Sequence, residues 1–183
     1  MDPVERIEKS TAHAAKAVSA VKPDQLSDPT PCSELDVKGV LNHLLNGMHM
    51  LTTAAQTGKA ELLGEDLVGA DPATQYNEAR TKLLGAIREP GVFDKNWEMP
   101  FATMPGQIMA GIAFWEHLVH GWDVAKATGQ DTTIPEELAQ EALDIVTPMD
   151  AMIRMPGVCG PKVDVPEDAP ITDRLVGFLG RQP

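Results

Sequence analysis

Basic residues are scarce. Lys and Arg supply 15 of the 183 residues against 27 Asp and Glu, giving a formal charge of −12 and a pI near 4.7. Phosphate neutralisation needs clustered Lys and Arg, so this balance excludes a nucleic-acid partner. It argues equally against anionic membrane surfaces. No run of about 18 apolar residues occurs, so no transmembrane helix is expected. The first ten residues, MDPVERIEKS, place two acids before the first Arg and lack an apolar core, so no signal peptide is expected. Cysteine is limited to Cys32 and Cys159, too few for a disulfide framework. The cytoplasm is the expected compartment. Aromatics are only 4% of the chain, yet hydrophobic residues reach 43%. That composition is globular, neither low-complexity nor disordered, and the length fits one domain spanning residues 1–183.

The apolar pattern is helical. Val4, Ile7, Thr11, Ala14, Val18 and Val21 recur in steps of three and four, and Pro23 with the stretch SDPTPC ends that helix. A second helix is predicted from about Asp36 to Thr57, with Ser33 or Asp36 as cap and Gly58 at its end. After a looser stretch, Lys59 to Ala70, the pair Asp71-Pro72 opens a third helix to about Arg88. Residues 92–106 are expected to form an extended crossover or a short hairpin. A fourth helix is predicted from about Gln107 to Thr128, stopped by Gly129. Thr133-Ile134-Pro135-Glu136 reads as a capping box for a fifth helix ending near Val146. A loop over 155–170 and a short helix over Ile171 to Leu179 complete the chain. The expected class is all-α, a four-helix bundle with a short C-terminal helical extension.

The segment from Trp115 to Asp123, WEHLVHGWD, carries the densest chemistry. On a helix, Glu116 and His120 are four apart and His117 and His120 three apart, so they share a face. Ala113 and Ala127, above and below His120, are small and leave room for an ion or ligand. Two readings stand. The polar stripe is either a solvated face or a buried set needing partners, because apolar residues lie nearly all round this helix. A third ligand is available in His43, at the edge of the second helix's apolar stripe with Gly47 one turn away. His49 and His13 read as surface residues, and Cys32 and Cys159 as ordinary loop cysteines without an electropositive surrounding. Two imidazoles and one carboxylate suit zinc, or another divalent ion such as nickel or iron, with one position open.

Three stretches carry a resemblance. They are Thr30-Pro-Cys through His43, Met104-Pro-Gly106 with Glu116-His-Leu-Val-His120-Gly-Trp-Asp-Val-Ala-Lys-Ala-Thr-Gly129, and the tail Asp173 to Arg181. Together they resemble the up-down bundles of the DinB and YfiT-like metalloenzymes. The closer match is the metal-binding domain of mycothiol-dependent maleylpyruvate isomerases and their actinobacterial relatives. The resemblance implies metal ligands at His43, Glu116 and His120, with His117 as an alternative ligand, while the spacing of three from His120 lets Asp123 orient that histidine. It implies mycothiol as cosubstrate, S-transfer or isomerisation of a small electrophile, and pairing as a homodimer. The isomerases carry a larger C-terminal domain, whereas only about fifty residues follow the fourth helix here. The metal site is therefore implied more directly than the isomerase's own substrate.

Overall fold

The computed structural model describes residues 1–64, 66–155 and 158–183. The expected loop positions Glu65, Pro156 and Gly157 lie outside the described residues. The chain is mostly helical: α1 (Pro3–Ser19), α2 (Val37–Thr57), α3 (Pro72–Ile87), α4 (Gly106–Ala127), α5 (Glu136–Val146), α6 (Asp150–Ile153) and α7 (Ile171–Phe178). No helix among the described residues is long and apolar enough to cross a membrane.

The caps follow the local chemistry. Asp36 accepts from the Gly39 amide at 2.7 Å at the start of α2, and Asp71 from the Thr74 amide at 3.0 Å at the start of α3. Each satisfies an amide that the helix itself leaves free. Gly58 closes α2 at φ +84°, a left-handed cap that glycine adopts without steric cost. Within residues 92–106 a 3-10 turn (Val92–Asp94) leads into a hairpin, in which β1 (Asn96–Glu98) and β2 (Thr103–Pro105) pair antiparallel with Trp97 opposite Met104. Trp97 is buried, and its indole N–H donates to the Val92 carbonyl at 3.3 Å.

The expected capping box at Thr133 does not form. The Thr133 amide donates to Asp131 Oδ1 at 2.9 Å, and Ile134 is held on both its polar groups by the Thr172 hydroxyl. The chain therefore stays out of the helix through Ile134, and α5 starts at Glu136 with Pro135 as its cap. A tertiary tie to α7 has overridden a local signal. The fifth helix also does not end the helical run, because a 3-10 turn (Thr147–Met149) leads directly into α6.

α1 packs on α4 and α3, and α2 packs on α3 and α4. One core fills the space between these four, with Ile7, Leu41, Met48, Tyr76, Leu83 and Met109 among its members. A second core joins the other side of α4 to α5, α6 and α7 through Phe114, Leu118, Trp122, Ile134, Ile153 and Leu175. α4 thus serves two cores, which explains why its sequence is apolar almost all round. It also decides between the two readings of its polar stripe, since His117, His120 and Asp123 are all buried.

The α1–α4 approach is close at Gly121, where a Cβ would lie 2.9 Å from Ala14 Cα and 3.1 Å from its Cβ. Backbone cannot yield as a flexible side chain can. Exposed Gly85 on α3 has nothing within 4 Å of the same position. Gly85→Ala should therefore stabilise by up to about 1 kcal/mol through helix propensity. Gly121→Ala should lose about 1–2 kcal/mol net, because overpacking outweighs the same gain. Denaturant midpoints of the two variants should move in opposite directions.

Candidate metal centre

α2 and α4 bring His43, Glu116 and His120 together, each offering one ligand atom, all within 4.8 Å of one another. His43 Nε2 lies 2.8 Å from Glu116 Oε2, and His120 Nε2 lies 3.4 Å from the same oxygen. The two rings meet edge to face at 4.8 Å. The three side chains grade from solvent to core, with exposures of 48% for His43, 22% for Glu116 and 7% for His120. One flank of the cluster is therefore open and the other is packed. Gly47, one turn beyond His43, has nothing within 4 Å of its Cβ position, so this turn of α2 adds no bulk there.

Behind His120 stands a fully buried carboxylate. His120 Nδ1 donates to Asp123 Oδ2 at 3.0 Å, which fixes the ring so that Nε2 faces Glu116. Asp123 in turn accepts from Arg181 through Nη2 at 2.9 Å and Nε at 3.2 Å. Arg181 is carried in by the C-terminal tail and is itself buried.

The electrostatics are those of charges forced together. Burial alone would raise the Glu116 pKa, but hydrogen bonds from His120 and His43, together with the positive charge of His120, hold it well below the usual carboxylate range. Burial alone would lower His120, but hydrogen bonds to Asp123 and Glu116 and their negative charge push it up to about 9. Without a cation, the two carboxylates thus retain a proton on His120.

His117 stands apart from the cluster. Its Nδ1 donates to the Ala113 carbonyl at 2.7 Å, and its Nε2 is buried with no hydrogen-bond partner among the described residues. Burial lowers its pKa to about 4, against the raising effect of the Ala113 contact, so the ring is neutral. His49 faces a cavity of about 230 Å³ lined by Leu45, Leu67, Gln75 and Lys82, away from the cluster. His13 is half-buried rather than a surface residue, and burial lowers its pKa.

Two residues at this centre carry no signal in spacing. Cys32 lies with its sulfur within 4.8 Å of a His120 nitrogen and an Asp123 oxygen. A turn before α2 places it there: Thr30 Oγ1 donates to the Leu35 carbonyl at 2.6 Å, and the Leu35 amide to the Cys32 carbonyl at 2.8 Å. Burial raises its thiol pKa even though the Arg181 charge opposes that, so the thiol stays protonated at neutral pH. Arg181 is the other. The tail that contains it was among the stretches of resemblance, but nothing in its spacing pointed to Asp123.

The comparisons with known proteins bear on this arrangement. The family model described as the mycothiol maleylpyruvate isomerase N-terminal domain matches residues 7–125, which include all three clustered donors. Uncharacterised proteins of Mycobacterium tuberculosis, from strains CDC 1551 and H37Rv, are each 31% identical over 99% of this chain and 98% of their own length. The crystal structure of the mycothiol-dependent maleylpyruvate isomerase matches at a TM-score of 0.57 and 15% identity, over 76% of this chain and 65% of that one. A histidine-to-alanine mutant of the isomerase matches at 0.58 and 14%, with the same coverage. At such identity the likeness is one of fold, and about a third of the isomerase chain has no counterpart in the match. On the extent of the family match, the chain belongs to the mycothiol maleylpyruvate isomerase N-terminal domain family.

Proposed function

We propose that this chain is a divalent-metal-dependent S-transferase or isomerase that uses a low-molecular-weight thiol, mycothiol, against a small electrophile. The metal, zinc by donor type, would be held by His43, Glu116 and His120. α1–α4 are read as an up-down four-helix bundle of the DinB type, with residues 1–183 as one domain and α5–α7 as its extension. The observation that carries the reading is the convergence of three donors from two helices within 4.8 Å, open to solvent at His43 and packed at His120.

The charge of the set fits a divalent cation. Glu116 and Asp123 are anionic, Arg181 is cationic, and the proton on His120 completes neutrality. A divalent ion in place of that proton would leave these residues with one net positive charge, which suits a thiolate. When bound, the metal would supply electrostatic stabilisation of that thiolate at neutral pH. His120 would present Nε2 because Asp123 holds Nδ1–H. Glu116 would remain ionised between the two imidazoles, and the exposed His43 edge would admit the small molecules. The C–S bond would form as the electrophile's leaving group departs with its electron pair.

Protein purified without a metal-affinity tag should contain about one metal per chain by elemental analysis. With mycothiol and a halogenated electrophile it should yield the thioether and free halide. Absence of metal after reconstitution with zinc, nickel and iron would refute the proposal. Stoichiometric metal without turnover across several thiols would instead make the chain a bundle that holds metal or a small ligand without converting it.

A further inference from the structure

Arg181 lies on the irregular segment after α7, yet it is only 5% exposed, and its guanidinium grips both oxygens of Asp123. Its third nitrogen donates to the Leu179 carbonyl at 2.9 Å and its amide to the Val176 carbonyl at 2.9 Å. The tail reaches this place through Gly180 at φ +83°, where a Cβ would lie 3.0 Å from the Gly160 and Pro161 carbonyl oxygens. Arg154 fastens the same layer by donating to the carbonyls of Gly160 and Phe178. The segment after α7 is thus built to deliver one charge to one buried carboxylate, and that carboxylate sets the orientation of His120.

We propose that Arg181 is a positioning residue for the metal centre: through Asp123 it fixes His120 Nε2 toward Glu116, so seating of the C-terminal tail and metal affinity are one coupled equilibrium. The proposal rests on the metal reading above. The fork of the guanidinium matters, since two parallel donors lock the carboxylate plane where a point charge would leave it free to turn. Coupling of this kind is reciprocal. If a seated tail raises metal affinity, bound metal must seat the tail.

The test compares the wild type, Arg181→Lys and Arg181→Gln. Zinc dissociation constants would be measured by chelator competition, with circular dichroism as the control for folding. Arg181→Gln should bind zinc about ten- to hundredfold more weakly, the range for losing a group that orients a ligand. Its hydrogen-bonded His120 Nδ1–H should lose its slow-exchanging proton resonance. Arg181→Lys should recover part of both. In the wild type, zinc should slow hydrogen exchange of the amides from Ile171 to Arg181. A folded Arg181→Gln with zinc affinity within twofold of wild type and the resonance retained would overturn the proposal. If that variant does not fold, unchanged tail exchange in zinc-saturated wild type would overturn it. A wild type that binds no zinc would sink the metal reading, and the resonance in the two proteins would then decide the Arg181 relay by itself.

Discussion

Replacing His120 with Ala should lower zinc affinity by more than about a hundredfold, beyond the loss typical for a group that only orients a ligand. The geometry makes this the most damaging single truncation. His120 supplies one of three donors, and its ring also connects Glu116 on one side to Asp123 on the other. Removing it leaves Glu116 paired with His43 alone and deprives the buried Asp123 of one of its hydrogen-bond donors. The metal-free protein should also be destabilised by about 1–3 kcal/mol, the usual cost of leaving a buried polar group short of a partner. His43→Ala separates the two effects. His43 is half exposed and, among the described residues, its one side-chain hydrogen bond is to Glu116. It should lose zinc affinity comparably while leaving the melting temperature of the metal-free protein within a degree or two, as surface truncations do. Zinc titration and thermal melts of the two variants check both halves. Near-stoichiometric zinc in purified His120→Ala would remove it from the ligand set.

The contrast between His43 and His120 marks what the sequence could and could not carry. Periodicity and caps located the helices well: Asp36 and Gly58 bound α2, and Asp71-Pro72 opens α3. These signals are local, contained within one turn of backbone, so tertiary contacts rarely erase them. Thr133 is the exception that shows the limit, because Thr172 on α7, 38 residues away, holds Ile134 out of helical geometry. The facing of Glu116 and His120 was readable because four residues on one helix fix it. The approach of His43 from α2 was not fixed by spacing and rested on the stretch of resemblance beginning at Thr30. Arg181 and Cys32 were illegible as members of the centre. Both reach it on irregular segments, and no period relates a turn or a tail to a helix face. His117 was ambiguous in one dimension because it neighbours both Glu116 and His120. In three dimensions it turns its Nδ1 to its own helix, bonding the Ala113 carbonyl.

The charge arrangement around His120 should make the proposed metal affinity steeply dependent on pH, and the sign follows from which species holds the proton. In the metal-free site His120 titrates at about 9, raised by its contacts with Asp123 and Glu116. Below that value zinc must displace a proton from Nε2, so each unit of acidification weakens binding about tenfold. Between pH 8 and pH 6 His120 alone should therefore raise the dissociation constant about a hundredfold, releasing about one proton per zinc bound at pH 7. Glu116 adds nothing in this window because its carboxyl is already ionised. The stability of the metal-free fold runs the other way. A histidine whose folded pKa stands above its unfolded value of about 6.5 contributes fully below that value and loses its contribution as pH rises through 9. Alkaline conditions should thus weaken the metal-free protein while strengthening zinc binding, so the rise in melting temperature produced by saturating zinc should grow from pH 6 to pH 9. Calorimetry in two buffers of different ionisation enthalpy would count the proton, and melts with and without zinc would trace the two opposed slopes. An affinity that stays level from pH 6 to pH 8 with no proton released would mean that zinc does not bind through His120 Nε2.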